Sequence, residues 1–302
     1  MTGQLTVLDT PSLWYRAFHG VPDSLVSPRG EPINALRGTL DMVARLIKDT
    51  RPARLVACLD LDWRPAFRVA AIPSYKLHRT LAGGAEDEPP ALGPQVLVLL
   101  DVFNAVGIAV AGHAGYEADD VIATLATREA GAVDVVTGDR DLLQLVHAEG
   151  PVRVLYTVEQ MKVYDEAAVA ARYAIPGTLY AEYACLRGDP SDGLPGVKGV
   201  GDKTAAALVT RFGAVEQIVA AVDAGVQDGF PAGARAKLEA ARDYLQVAPA
   251  VSRLVRNLPL AALDDTLPAT PQDPASLVTL SARWGLDSAL DRLLAALALP
   301  RV

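Results

Sequence analysis

Cysteine and histidine are scarce: two and four residues in a chain of 302. Cys58 and Cys185 are far apart and form no C-x-x-C pair, and the histidines lack zinc-ligand spacing, so a thiolate or imidazole metal site is not encoded. Cys58 lies in an apolar run and reads as a buried thiol. No apolar run approaches the length of a membrane span, and MTGQLTVLDT at the start lacks the basic, apolar, small order of a signal peptide. The expectation is a cytoplasmic protein with no membrane association. Bases are also in deficit, 28 against 36 acids, a net charge of −8 that taken alone speaks against nucleic acid. Their distribution reopens the question. Between Trp63 and Ala85 stand Arg64, Arg68, Lys76, His78 and Arg79 with no acid among them, and Lys198, Lys203 and Arg211 cluster further on around Asp202.

The length suits one large or two modest domains, and 51% hydrophobic with 21% charged residues is ordinary for a globular chain. LTVLD at 5–9, LVACLD at 55–60 and VDVVTGD at 133–139 are short apolar runs ending in an acid, separated by helical periodicity such as that over 31–48. Strands alternating with helices predict a mostly parallel α/β sheet flanked by helices, with the working site beyond the carboxyl ends of its strands. Asp9, Asp60 and Asp139 fall there. Asp139 and Asp141 are expected to open a helix. Beyond about residue 175 the pattern is helical: 178–187, 203–212, 214–222, 233–246 and two helices near the C-terminus.

Nine acids stand at suggestive places: Asp9, Asp60, Glu117, Asp119, Asp120, Asp139, Asp141, Asp189 and Asp192. Each alone could cap a helix or sit in a loop. Several converging on one sheet edge are harder to accommodate. Two like charges ~4 Å apart repel by about 4 kcal/mol at an effective dielectric near 20, against a total stability of ~5–15 kcal/mol. Protonation or bound cations must relieve this. Oxygen-only donors favour Mg²⁺ or Mn²⁺, and two such ions serve in-line displacement at a phosphodiester. In GYEADD the trio Glu117, Asp119 and Asp120 is expected to span a helix cap and first turn.

Residues 188–204, GDPSDGLPGVKGVGDKT, place Asp189 and Asp192 just before the small-residue hairpin Gly196, Val197, Lys198, Gly199, Val200 and Gly201 and a helix starting near Lys203. Such a hairpin feeding a helix N-terminus offers backbone N–H groups to a phosphate. In isolation the same stretch reads as a polar loop and an ordinary helix start. Tyr75 alone reads as core packing, and Arg64, Arg68, Lys76 and Arg79 as a solvated face. Beside the acids, both readings tilt towards phosphate and base contact.

These blocks together resemble the bacterial 5′ nuclease family, which includes the 5′-nuclease domain of DNA polymerase I, phage 5′ exonucleases and, more distantly, flap endonucleases. The matching motifs are VLDTPSLWYRAFHG at 7–20, CLD at 58–60, FR at 67–68, YKLHR at 75–79, GYEADDVIATLA at 115–126, TGDRDLLQLV at 137–146 and GDPSDGLPGVKGVGDKTA at 188–205, spread over most of 5–260. The resemblance implies a PIN-like α/β core over 1–175 with an arch segment at about 63–94. It further implies a helical DNA-binding region over 176–302 with a helix–hairpin–helix-type element at about 188–212. It assigns Asp9, Asp60, Glu117 and Asp119 to a first metal site, and Asp120, Asp139, Asp141, Asp189 and Asp192 to a second or neighbouring one. Arg68 and Lys76 would hold and polarise the scissile phosphate. Tyr75 would stack on a base, Arg79 would contact backbone, and Gly196, Lys198, Gly199, Gly201 and Lys203 would grip duplex phosphates, with K⁺ as a further ion at the hairpin.

Three features depart from the family pattern. The segment after Arg79 is short, rich in Gly and Pro and carries Glu86, Asp87 and Glu88; Pro190 stands where many relatives have an acid; and no polymerase follows. The expectation is a free-standing, monomeric 5′ nuclease dependent on two or more Mg²⁺ or Mn²⁺ ions. It would act on 5′ flaps, nicked or gapped duplex and 5′ ends in replication and repair, with a DNA polymerase or ligase as partner. An inactive DNA-structure-binding protein would need an incomplete acid set, and a PIN-type ribonuclease would lack the GVKGVG hairpin.

Overall fold

Runs such as LTVLD and VDVVT are apolar at nearly every position, which suits strands buried on both faces. In the computed structural model, which describes residues 3–300, they are β1 (Leu5–Asp9) and β4 (Val133–Thr137), buried along their whole length. One charge lies inside: Asp134 is fully buried and is met by Arg153 Nε at 2.5 Å. In chain order the elements are β1, α1 (Thr10–Gly20), α2 (Asn34–Thr50), β2 (Arg54–Cys58), α3 (Ala66–Ala71), α4 (Gly93–Val106), β3 (Ala109–Ala111), α5 (Ala118–Arg128) and β4. There follow β5 (Val152–Tyr156), β6 (Lys162–Tyr164), α6 (Glu166–Tyr173), α7 (Tyr180–Arg187), α8 (Asp202–Phe212), α9 (Val215–Asp223), α10 (Ala234–Ala240), α11 (Arg242–Ser252), α12 (Pro274–Trp284) and α13 (Asp287–Ala296).

The sheet order is β3-β2-β1-β4-β5-β6, with every pairing parallel except the last. The strand order reverses direction between β1 and β4. In open α/β sheets such a switch leaves a crevice at the carboxyl ends of the strands, and Asp9 and Asp139 stand on its two sides. One core packs α5 and the helices α7, α8, α9 and α11 on one face of the sheet. The other packs α1, α2 and α4 on the opposite face, and it also takes in α12 and α13.

Helices α12 and α13, at the end of the stretch 176–302, thus lie against α2 and α4 and not among α7, α8, α9 and α11. Leu277, Leu286, Leu290 and Leu293 are buried with the α2 and α4 side chains, because the apolar stripes of α12 and α13 find their partner there. Other differences are local. Asp141–Leu145 forms a 3₁₀ turn instead of a longer helix, ending where Val146 turns extended at ψ 132°. The helix expected over 233–246 breaks at Ala241. The arch segment holds only the six-residue α3 and a 3₁₀ turn at Leu77–Arg79. Among the described residues no single helix is long and apolar enough to cross a membrane.

Candidate active site

Each strand end delivers its acid for a local reason. Asp9 closes β1 and caps α1, accepting from Ser12 N at 3.1 Å, and its other oxygen accepts from Thr137 Oγ1 at 2.5 Å. Asp60 follows β2 and accepts from the Ala118 amide at the start of α5 at 2.6 Å. Glu117 is the N-cap of α5, with Asp119 and Asp120 in its first turn. Asp139 follows β4 and accepts from Asp141 N at 2.8 Å. Asp9, Asp60, Asp119 and Asp139 line one cleft of about 560 Å³ together with Lys76, Arg79, Tyr15, Trp63 and Glu86.

The electrostatics show how crowded the acids are. Burial, with Asp60 and Asp139 nearby, pushes Asp9 up to about 7. Burial and then Asp139, Asp9 and Glu117 hold Asp119 well above the usual carboxylate range. Asp141 is also held well above it, by burial and then by Asp139, Asp192 and Asp189. Asp192 rises to about 6, through burial and the charges of Asp139 and Glu117. Asp139 thus acts on two groups: Asp9 and Asp119 on one side, Asp141 and Asp192 on the other. Among the described residues no three acids, histidines or cysteines close around an ion-sized position. Asp9, Asp60, Asp119 and Asp139 stand along the walls of the cleft.

Lys76 is the counter-charge. Its backbone is left-handed at φ 47°. Its ammonium reaches Glu117 Oε1 at 3.0 Å, and its own amide donates to Asp192 O at 3.0 Å. Burial works against its charge, but Glu117, Tyr75, Asp192 and Asp60 outweigh burial and raise its pKa well above the ordinary value. Lys76 therefore stays cationic at the cleft wall.

Four expected site residues, Arg68, Asp120, Tyr75 and Glu117, are buried together behind the cleft wall. Arg68 is 1% exposed and makes a bidentate pair with Asp120, at 2.9 and 2.7 Å, while its Nε donates to Val251 O. Its guanidinium is closed off from solvent in this arrangement. Asp120 is fully buried; besides Arg68 it accepts from Val255 N at 2.9 Å and from the Glu117 amide. Tyr75 is also 1% exposed, its hydroxyl 2.9 Å from both Glu117 oxygens, and offers no face to a base. Glu117 itself is buried behind the cleft, with Tyr75, Lys76 and Arg68 (3.2 Å) around its carboxylate.

The loop carrying Asp189 and Asp192 is docked on the Lys76 segment. Ser74 Oγ donates to Gly193 O at 3.0 Å, and Arg79 donates to Ser191 O at 2.8 Å and lies 3.8 Å from Asp192. Asp189 accepts from Ser191 N and lies 3.3 Å from Arg140. In the hairpin that follows, Val197 and Val200 are buried pegs while Lys198, Gly199, Gly201 and Lys203 are exposed. Gly196 has φ +66°, and a Cβ there would sit 2.5 Å from Gly188 N, so the turn closes only with glycine. Beside the hairpin, Arg140, Arg172, Arg187 and Lys203 line a groove of about 320 Å³ in which Asp202 is the single acid. Arg140 and Arg187 border motifs visible in the sequence; Arg172, on α6, gave no signal. Tyr15, Trp63 and Glu86 were equally unmarked as cleft residues.

Family models match in the same two parts. The 5′-3′ exonuclease N-terminal resolvase-like domain covers residues 4–174, and the 5′-3′ exonuclease C-terminal SAM fold covers 175–275. The chain belongs to the 5′-3′ exonuclease family. It is a nuclease. A 5′-3′ exonuclease of Streptomyces coelicolor is 52% identical over 299 residues, 96% of this chain and 99% of the relative. One from Mycobacterium tuberculosis is 47% identical over 314 residues, 98% of each. The fold is shared with the bacteriophage T5 D15 flap endonuclease, solved as a pseudo-enzyme-product complex with DNA and metal ions, at a TM-score of 0.60 and 17% identity over 98% of both chains.

Proposed function

We propose that this 5′-3′ exonuclease family member is a divalent-metal-dependent nuclease that hydrolyses phosphodiesters in 5′-ended, nicked or branched DNA. The observation that carries the reading is one cleft at the sheet's switch point lined by Asp9, Asp60, Asp119 and Asp139 with the cationic Lys76. The donor set is carboxylate oxygen, which suits Mg²⁺ or Mn²⁺, and the raised carboxyl groups are those that a bound cation would relieve. Asp9, Asp60, Asp119 and Asp139 would hold one ion, with Asp141, Asp189 and Asp192 serving a neighbouring one. When bound, the ions activate water and neutralise charge in an in-line displacement at phosphorus.

The chain's own residues do the rest. Lys76 presents a fixed ammonium to the phosphoryl oxygens, with Glu117 holding it in place and charged. Lys198, Lys203 and the exposed hairpin amides grip the duplex backbone, and the Arg140, Arg172 and Arg187 groove extends that grip towards the acids. K⁺ fits the hairpin less well. The Gly199 carbonyl already accepts from Lys237 Nζ at 2.8 Å, so a protein ammonium stands at one of the oxygens such an ion would use.

The test is incubation of 5′-flap DNA, nicked duplex and single-stranded RNA with Mg²⁺, Mn²⁺ or EDTA, beside a double Asp139→Asn, Asp141→Asn variant. Cleavage of the DNA substrates that needs metal and disappears in the variant is expected. Binding without cleavage under every metal condition would sink the enzyme reading, and cleavage of RNA alone would sink the DNA assignment.

A further inference from the structure

The segment that departs most from the family pattern, residues 80–88, is an ordered turn and not an open arch. Thr80 and Glu86 form an antiparallel bridge, Leu81 N donates to Ala85 O at 2.8 Å, and Asp87 N donates to Arg79 O at 2.8 Å. Gly83 and Gly84, at φ +128° and +87°, allow the reversal. The turn is exposed at 81–85 and at 87–88, and its inner side, at Glu86, faces the cleft. Glu86 and Asp87 line the same cleft as Asp9, Asp60 and Asp119, and Glu86 Oε1 accepts from the hydroxyl of Tyr15 at 3.0 Å. Tyr15 belongs to α1 and Glu86 to the segment after α3, so this one bond joins elements that approach the cleft from different parts of the chain.

The chemistry of the turn is opposed to that of the substrate. Glu86 lies in the field of Lys76 and Arg79, the cations a phosphodiester would use, and Glu88 adds a second negative charge beside it. A polyanionic strand entering here must displace a carboxylate from those cations and pass Asp87 as well.

We propose that the Tyr15–Glu86 bond is a latch that makes the 80–88 turn a selectivity gate, which disfavours 5′ single-stranded extensions long enough to cross the cleft relative to 5′ ends at a nick. This rests on the function proposed above. Glu86 and Tyr15 set which DNA is admitted and take no part in the bond cleavage.

Two variants separate charge from closure. Glu86→Gln removes the repelling charge, and Tyr15→Phe removes the latch while leaving the charge. The readout is the ratio of kcat/KM on a long 5′ flap to that on a nicked duplex, in Mg²⁺. Both variants should raise the ratio about tenfold, the effect of one hydrogen bond or one charge near the entering strand. A second readout needs no activity: trypsin should cut after Arg79 several times faster in Tyr15→Phe than in the unaltered chain. An unchanged ratio in both variants, or an unchanged tryptic rate in Tyr15→Phe, overturns the latch. Failure of the unaltered chain to cut either DNA with Mg²⁺ overturns the function itself, and the tryptic rate then still decides whether the turn is latched.

Discussion

Replacing Arg68 with alanine separates the structure's account of this residue from the role its motif suggests. Its guanidinium is 1% exposed, pairs bidentately with Asp120, lies 3.2 Å from Glu117 and donates to the Val251 carbonyl. Removing it leaves Asp120 as a buried, unpaired carboxylate, a change that typically costs about 3–5 kcal/mol. That is a third or more of a typical domain's stability and corresponds to a fall of roughly 6–15 °C in the melting temperature. Arg68→Lys keeps the charge but not the fork, and should fall between. The Arg68→Ala, Asp120→Ala double variant should cost less than the sum of its parts by about 1–3 kcal/mol, since the two share one interaction. The assay is urea unfolding of each variant alongside cleavage of a flap substrate at low temperature, where the variants remain folded. Activity per folded molecule should stay within about tenfold of the unaltered chain. A loss of a thousandfold in kcat with the unfolding midpoint unmoved would refute the buried-pair account and return Arg68 to the phosphate.

Lys76→Ala should lower cleavage by several orders more than it lowers duplex affinity; equal losses in rate and binding would make Lys76 a binding residue only. Arg172→Ala and Lys203→Ala should each reduce the slope of log affinity against log salt for nicked duplex by about 0.9, and unchanged slopes would remove the groove from the DNA path. The acids predict a link between pH, metal and stability. Asp9 and Asp192, raised from 3.8 to about 7 and about 6, stabilise the metal-free fold fully below their unfolded value and lose that contribution as pH rises through those folded values. In EDTA the melting temperature should therefore fall as pH rises from about 4 to about 7, and the increment from Mg²⁺ should grow over the same range as protons leave the carboxylates. Calorimetry showing an increment independent of pH would mean that these acids do not meet the ion.

The parallel sheet was legible because its inner strands are continuous apolar runs, and the acids were legible because strand ends and helix starts are where α/β folds place their chemistry. GYEADD announced a cap and first turn, and Glu117, Asp119 and Asp120 occupy one. Sequence could not show which carboxylates face the cleft. Asp119 and Asp120 are neighbours, yet one lines the cleft and the other is locked to Arg68, a separation made by the helix turning 100° per residue. Nor could it show that Tyr75 donates inward to Glu117, because burial depends on α11 and residues 251–255 arriving from far along the chain. β5 and β6 were missed for a different reason: Arg153 interrupts the apolar run of β5, VRVLY, and the three residues of β6 are too few for a periodic signal. The final helix pair was assigned by adjacency, whereas its leucines had to be assigned by which apolar face remained uncovered.

That helix pair has a consequence for the order in which the molecule can be built. After α11 the chain runs back beneath the sheet, where Leu55 N donates to Asp265 O at 2.8 Å and Arg54 pairs with Asp265 and Glu129, before α12 and α13 cover α2 and α4. The outer side of α2 and α4 therefore stays bare until residues 274–296 have left the ribosome. Every acid of the cleft is synthesised before the helices that close over α2 and α4. A growing chain thus carries every acid of the cleft while the α2 and α4 layer behind β1 and β2 still lacks its outer cover.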